Sequence, residues 1–219
     1  GSISIEGGDI LVAREDVILA GIGTRTSTHG VDFIIDYMKE RKKPYHLIVQ
    51  ELPHTPESFI HLDMAFTFLD RDACMVYAPL ILQPNRYETV HIEIDNGHVK
   101  SIRTVENIPY ILKKLGMDLE PSFCGGNSDS ISMEREQWHS GANFFAVGPG
   151  KVIGYNRNVH TLDNKKKNGF EIIRARDFLD GKYDLSTYHR YVLTIDGSEL
   201  SRGGGGARCM TMKKKKKPL

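Results

Sequence analysis

Cysteine is scarce in this chain: Cys74, Cys124 and Cys209 are odd in number and widely separated. That usage suits a reducing compartment better than a disulfide framework, and without a CxxC pair it gives no zinc signature. Charge of one sign is lacking too, since 29 basic residues face 28 acidic ones and leave a net charge of +1. So balanced a surface makes no electrostatic case for nucleic acid or an anionic membrane as the main partner, which leaves small molecules. No apolar run approaches the roughly 20 residues that span a bilayer, and no basic stretch followed by an apolar signal core opens the chain. A cytoplasmic protein is the expectation.

What is present is a core-forming composition, 40% hydrophobic and 26% charged over 219 residues, with one biased segment. Lys213 to Lys217 repel one another and stay hydrated, so the reading divides the chain into a folded region, 1–212, and a lysine-rich tail, 213–219. Within the folded region a strand–strand–helix–strand order recurs. Ile10 to Val12 and Val17 to Ala20 form a hairpin, Val31, Ile34, Ile35 and Met38 recur at helical spacing, and His46 to Val49 closes the unit. The pattern restarts with strands Met64 to Leu69 and Cys74 to Tyr77. It then takes in an inserted hairpin turned by Asn96-Gly97 and a helix from Asn107 to Leu115 stopped by Gly116. A third round uses Phe144 to Val147, Val152 to Tyr155, a helix over Val159 to Lys167 and Phe170 to Ile173.

The polar residues Asp9, Asp63, Asn143 and Cys209 occupy equivalent mouths of these units, 54, 80 and 66 residues apart. Repeats of this kind stack about an axis and bring their mouths together. About three and a half units are present, so an incomplete ring leaves strand edges open. The last mouth follows SRGGGGARCMTM, where Gly203 to Gly206 let a ligand approach the backbone closely. Ala207 to Met212 read as a terminal strand, placing Cys209 where a loop meets a rigid element.

Taken together, IEGGD (Ile5 to Asp9), GTRTS (Gly23 to Ser27), HLDMAFTFLD (His61 to Asp70), EREQW (Glu134 to Trp138), GAN (Gly141 to Asn143), IGYNRN (Ile153 to Asn158) and ARCMTM (Ala207 to Met212) resemble the arginine deiminases of the guanidino-group modifying superfamily, over the C-terminal half or so of their length. The resemblance implies an α/β propeller of repeated ββαβ units with five-fold pseudosymmetry. It also implies hydrolysis of L-arginine to L-citrulline and ammonia without metal or organic cofactor. By the same resemblance Cys209 is the nucleophile, His61 the acid and then the base, Glu6 its carboxylate neighbour, and Asp63 a holder of the guanidinium. Arg25 clamps the substrate α-carboxylate, and Asp9 and Gly203 complete the substrate contacts, Asp9 with a possible capping role near Arg25.

A planar cation is a poor electrophile, so carboxylates must hold it in plane against a strong nucleophile. Those same carboxylates raise the thiol pKa, which points to ionisation of Cys209 assisted by the substrate's own charge. His61 and Asp63, two apart on a strand, are expected on one face. Glu134 to Trp138 read as an ion-pair cluster beside a packed indole, and Cys74 and Cys124 as inert.

Three features depart from the family pattern. An upstream Arg-Asp-Pro segment with a second guanidinium-holding aspartate has no match before Ile3, Gly204 stands where some members place an arginine, and lysines replace the expected proline-led segment after Met212. The partner expectation is therefore L-arginine, with a homo-oligomer or a complementing N-terminal chain. The rival readings are a guanidinium-binding or assembly fragment without turnover, and a related deiminase acting on agmatine or peptidyl-arginine.

Overall fold

Apolar alternation and well-placed caps build the first unit as the pattern implies. In the computed structural model, which describes residues 2–126, 129–197 and 205–211, strand β1 (Ile10–Arg14) turns into β2 (Val17–Ile22), whose Val17, Leu19 and Ala20 are fully buried. Ser27 Oγ accepts from the Gly30 N–H and starts helix α1 (Thr28–Glu40), whose Val31, Ile34, Ile35 and Met38 pack on the sheet. Strand β3 (Tyr45–Glu51) then runs parallel to β2, as a strand–helix–strand crossover requires.

The second unit carries β4 (Phe66–Asp70), β5 (Ala73–Val76), a one-turn helix α2 (Ala78–Ile81), and the hairpin of β6 (Thr89–Asp95) and β7 (His98–Val105). Asn96 and Gly97 turn that hairpin with φ of 47° and 81°, the left-handed pair that a tight hairpin asks for. Helix α3 (Ile108–Lys114) is capped by Asn107, which accepts from the Tyr110 N–H at 2.8 Å, and is followed by β8 (Glu120–Phe123), parallel to β5. After α4 (Ser130–Trp138), the third unit comprises β9 (Phe145–Gly148), β10 (Lys151–Tyr155), α5 (Val159–Lys167), β11 (Glu171–Arg174), α6 (Ala175–Leu179) and β12 (Tyr191–Ile195).

The result is a mixed α/β fold with three sheets, ordered β1-β2-β3-β6-β7, β4-β5-β8 and β11-β12-β10-β9, and no closed barrel among the described residues. Three pairings differ from the sequence reading. The β6–β7 hairpin leaves its own unit and extends the first sheet through β3, and β12 inserts between β10 and β11, parallel to both. All three are long-range, so local alternation carries no trace of them.

Other corrections are local. His61 is extended and Asp63 lies in a 3-10 turn, Leu62–Met64, so the strand begins later than Met64 and the shared-face argument gives way to a turn. Ala207 to Met210 form a turn rather than a strand. The EREQW segment is helix α4. Its Trp138 is 54% exposed rather than packed, and its buried Glu136 accepts from the N–H groups of His160 and Thr161 and the Thr161 hydroxyl, holding the start of α5. Cys74 and Cys124 are fully buried, and burial pushes the Cys74 thiol up to about 12. Gly203, Gly204, Met212 and the lysine tail lie outside the described residues.

One core group is unusual. Lys165, on α5, is wholly buried between the rings of Phe144 and Phe170, each centroid 4.7 Å from Nζ, and the amine has no hydrogen-bond partner among the described residues. Burial drives its pKa well below the usual lysine value, with the nearby Arg190 cation adding to the effect. A base whose pKa is lowered on folding costs stability at every pH below its unfolded value, and the cost fades as pH rises toward that value. Lys165→Met is therefore expected to stabilise the fold at pH 7 by about 1–4 kcal/mol, the scale on which apolar groups replace buried charge. Urea unfolding should show that gain shrinking toward pH 10; a gain independent of pH would mean that the amine is not the cause.

Candidate active site

Strands β1, β4 and β9 each lie at one edge of their sheets, and the three edges border one cleft of about 690 Å³. Ile10 to Val12, Thr67, Phe68, Phe145 and Ala146 form its walls, while His61, Asp63, Arg208 and Cys209 bring titratable groups to it. The mouths of the repeats thus converge, and hydrogen bonds show how. Asp9 accepts from the N–H of Leu62 at 2.8 Å, and Asn143 accepts from the N–H of Arg208 at 2.8 Å. In both cases the polar residue of one mouth grips the backbone just before the polar residue of another. Asp63 has the equivalent position, yet its carboxylate faces the cleft.

That carboxylate is fully buried and receives Nη1 of Arg208 at 2.6 Å. The Arg208 guanidinium also donates to the Ile10 carbonyl, at 3.2 Å. Burial raises the Asp63 pKa, and the Arg208 cation pulls it back. Cys209 is exposed at its turn, but its sulfur lies 4.0 Å from both Asp63 oxygens, so partial desolvation in the cleft and that negative neighbour push the thiol above its usual value.

Around this centre the IEGGD and GTRTS segments are laced together. Thr26 accepts from the Glu6 N–H at 3.1 Å and donates to Asp9 at 2.6 Å. Glu6 stands 2.6 Å from Nε2 of His61 and 3.7 Å from the Arg25 guanidinium, which is half exposed and not among the residues that line the cleft. Gly8 makes this possible, because a Cβ there would lie 2.5 Å from Cγ of His61. Nδ1 of His61 is buried with no hydrogen-bond partner in the described structure.

The structure accordingly brings Glu6, His61, Asp63 and Cys209 to one place. Asp9 sits behind them, fully buried, with both oxygens engaged by Thr26 and Leu62. Burial raises its pKa, against those two hydrogen bonds. Gly203 lies outside the described residues. The sequence reading put Asn143 among the mouths without giving it a role, and Thr26 inside GTRTS without singling it out. Nothing in the local pattern points to Arg208 as the partner of Asp63. Among the described residues no group of three or more His, Cys, Asp or Glu is placed to hold a metal ion, and no helix is long and apolar enough to cross a membrane.

Comparison with known proteins agrees with the motifs. The family model described as arginine deiminase matches residues 1–213. A protein named arginine deiminase, from Mycoplasma capricolum subsp. capricolum, is 34% identical over 211 residues, which is 95% of this chain and 46% of that protein. The chain thus spans about half the length of this curated relative. Among solved structures, apo ArgZ, an arginine dihydrolase from the ornithine–ammonia cycle in cyanobacteria, matches 92% of this chain and 23% of its own at 16% identity, with a TM-score of 0.52. Unliganded AgrE matches at 17% identity and the same TM-score, with 92% of this chain and 22% of its own covered. At these identities the structures speak for the fold.

Proposed function

Since the chain belongs to the arginine deiminase family, we propose that its cleft hydrolyses the guanidinium of L-arginine to give L-citrulline and ammonia, with Cys209 as nucleophile. One observation carries the reading: Asp63 already grips a guanidinium, that of Arg208, with the Cys209 sulfur 4.0 Å from the same carboxylate. The site accepts a planar cation beside a thiol, and the chain's own arginine stands where the substrate's group would lie.

In the proposed course the Cys209 thiolate bonds to the central guanidinium carbon. The tetrahedral adduct expels ammonia after His61 gives a proton to the departing nitrogen, leaving an S-linked thiouronium group. Water then adds to that carbon and returns one proton to His61, and the carbon–sulfur bond breaks to free thiolate and citrulline as the hydroxyl's remaining proton passes to solvent, where it balances the ammonia released. Glu6 orients the His61 ring, Arg25 meets the α-carboxylate, and Asp9 braces the turn that carries Asp63. Gly203 belongs with the substrate contacts by resemblance. The finer architecture we propose is an α/β propeller of ββαβ units in which β1, β4 and β9 are the inner strands. Residues 1–212 would be its catalytic unit, and its open side would be closed by a complementing chain or a second copy.

The thiol gives a test that needs no turnover. Asp63 raises the Cys209 pKa even with the Arg208 guanidinium on one of its oxygens, so an inert guanidinium that adds a second positive charge beside Asp63 should lower it. Ultraviolet titration of the thiolate is expected to show an apparent pKa above that of an ordinary cysteine, falling when methylguanidine is added. An unchanged value with bound ligand would remove substrate-assisted ionisation from the account.

A second reading, guanidinium binding without turnover, is favoured by the carboxylate count. Asp9 is occupied by Thr26 and Leu62 and Glu6 by His61 and Arg25, so among these carboxylates Asp63 alone meets a guanidinium inside the cleft. Citrulline assay of the chain alone, then with the N-terminal half of the Mycoplasma relative supplied, separates the two. Product in either arm supports hydrolysis, and binding without product in both supports the module.

A further inference from the structure

We infer that Asn143 is a positioning residue for the nucleophile: it fixes the turn that carries Cys209 to the backbone that carries Asp63. Its amide nitrogen donates to the Asp63 carbonyl at 3.0 Å, and its amide oxygen accepts from the Arg208 N–H at 2.8 Å. One side chain, 1% exposed, therefore ties the backbone of the guanidinium-holding residue to the residue next to the nucleophile. The inference rests on the proposed reading only in calling Cys209 the nucleophile.

Three features argue for a device rather than an incidental contact. The first is its place in the repeat. Asp9 makes the same kind of bond to Leu62, one residue before Asp63, so the fold uses this bond to join mouths. At the Cys209 mouth the gripping residue is an amide instead of a carboxylate. An amide supplies the same acceptor without adding a second negative charge near a thiol that Asp63 already burdens. The second feature is fit. A Cβ on Gly206 would lie 2.3 Å from Oδ1 of Asn143, so the glycine before Ala207 is what lets the amide reach the turn. The third is electrostatic direction. Hydrogen bonding by the Gly206 N–H and by Asn143 helps the Cys209 thiolate, against the partial desolvation and the Asp63 charge that oppose it.

The decisive readout is the pH profile of Cys209 alkylation by iodoacetamide in the full chain, with the buried Cys74 and Cys124 as unreactive internal references. Asn143→Ala deletes the amide, and Gly206→Ala drives it out by steric contact while leaving it in the sequence. Both are expected to raise the midpoint of the profile, which lowers the rate at pH 8 by about three- to tenfold, since one pKa unit is tenfold in thiolate below the midpoint. Because Gly206→Ala breaks the Asn143 contact together with any change at the Gly206 N–H, which also favours the thiolate, the double variant should shift the midpoint no further than Gly206→Ala alone. Circular dichroism confirms that each variant is folded at the assay temperature. Midpoints that match the wild type in both folded single variants, or shifts that add in the double variant, would overturn the inference. Neither outcome depends on whether arginine is hydrolysed, so a failed citrulline assay leaves this test intact.

Discussion

Asp63→Asn is expected to move two readouts in opposite directions. Citrulline formation should fall by about 10²–10³-fold, the cost of removing a preorganised charged partner from a reacting group. Alkylation of Cys209 at pH 7.5 should become several-fold faster, up to about tenfold, because the carboxylate 4.0 Å from the sulfur no longer opposes the thiolate. The fold should tolerate the change: burial already raises the Asp63 pKa, and a neutral amide is easier to bury and can still accept from Arg208. A variant that loses activity and thiol reactivity together would point to a collapsed site, and one that keeps its activity would leave the guanidinium without its holder.

Cys209→Ser should abolish hydrolysis, by about 10⁴-fold or more, since a hydroxyl is a far weaker nucleophile than a thiolate. Stability should stay within about 0.5 kcal/mol, as expected for an exposed side chain away from the core. Binding of methylguanidine should survive, because Asp63 is untouched. Calorimetry together with the citrulline assay thus separates loss of chemistry from loss of the site.

Much of the first unit was legible because its signals are local. Ser27 caps α1 and Val31 and Met38 bury one face, and in the second unit Asn96-Gly97 is just as local a signal, turning a hairpin in the left-handed conformation that a two-residue loop favours. The convergence of Asp9, Asp63, Asn143 and Cys209 was legible for another reason: residues at equivalent places in a repeat meet if the repeats share an axis. What escaped was long-range choice. Nothing in β6 or β12 says which strand each will join, and the outcome depends on edges left open tens of residues away. The partner of Asp63 escaped in the same way, since several arginines could have reached it and only the folded turn before Cys209 selects Arg208. Trp138 was misplaced because indole size suggests burial, whereas α4 turns its buried side, Glu136 and Gln137, inward.

The central claim is that Cys209 and Asp63 act on one guanidinium. Acid quench of the chain with carbon-14-labelled L-arginine, with and without the supplied N-terminal half, followed by peptide mapping, tests it most directly. The account predicts label on the Cys209 peptide, lost in Asp63→Asn and absent in Cys209→Ser. Citrulline formed with no label on that peptide at any quench time, or with label on another residue, would contradict it.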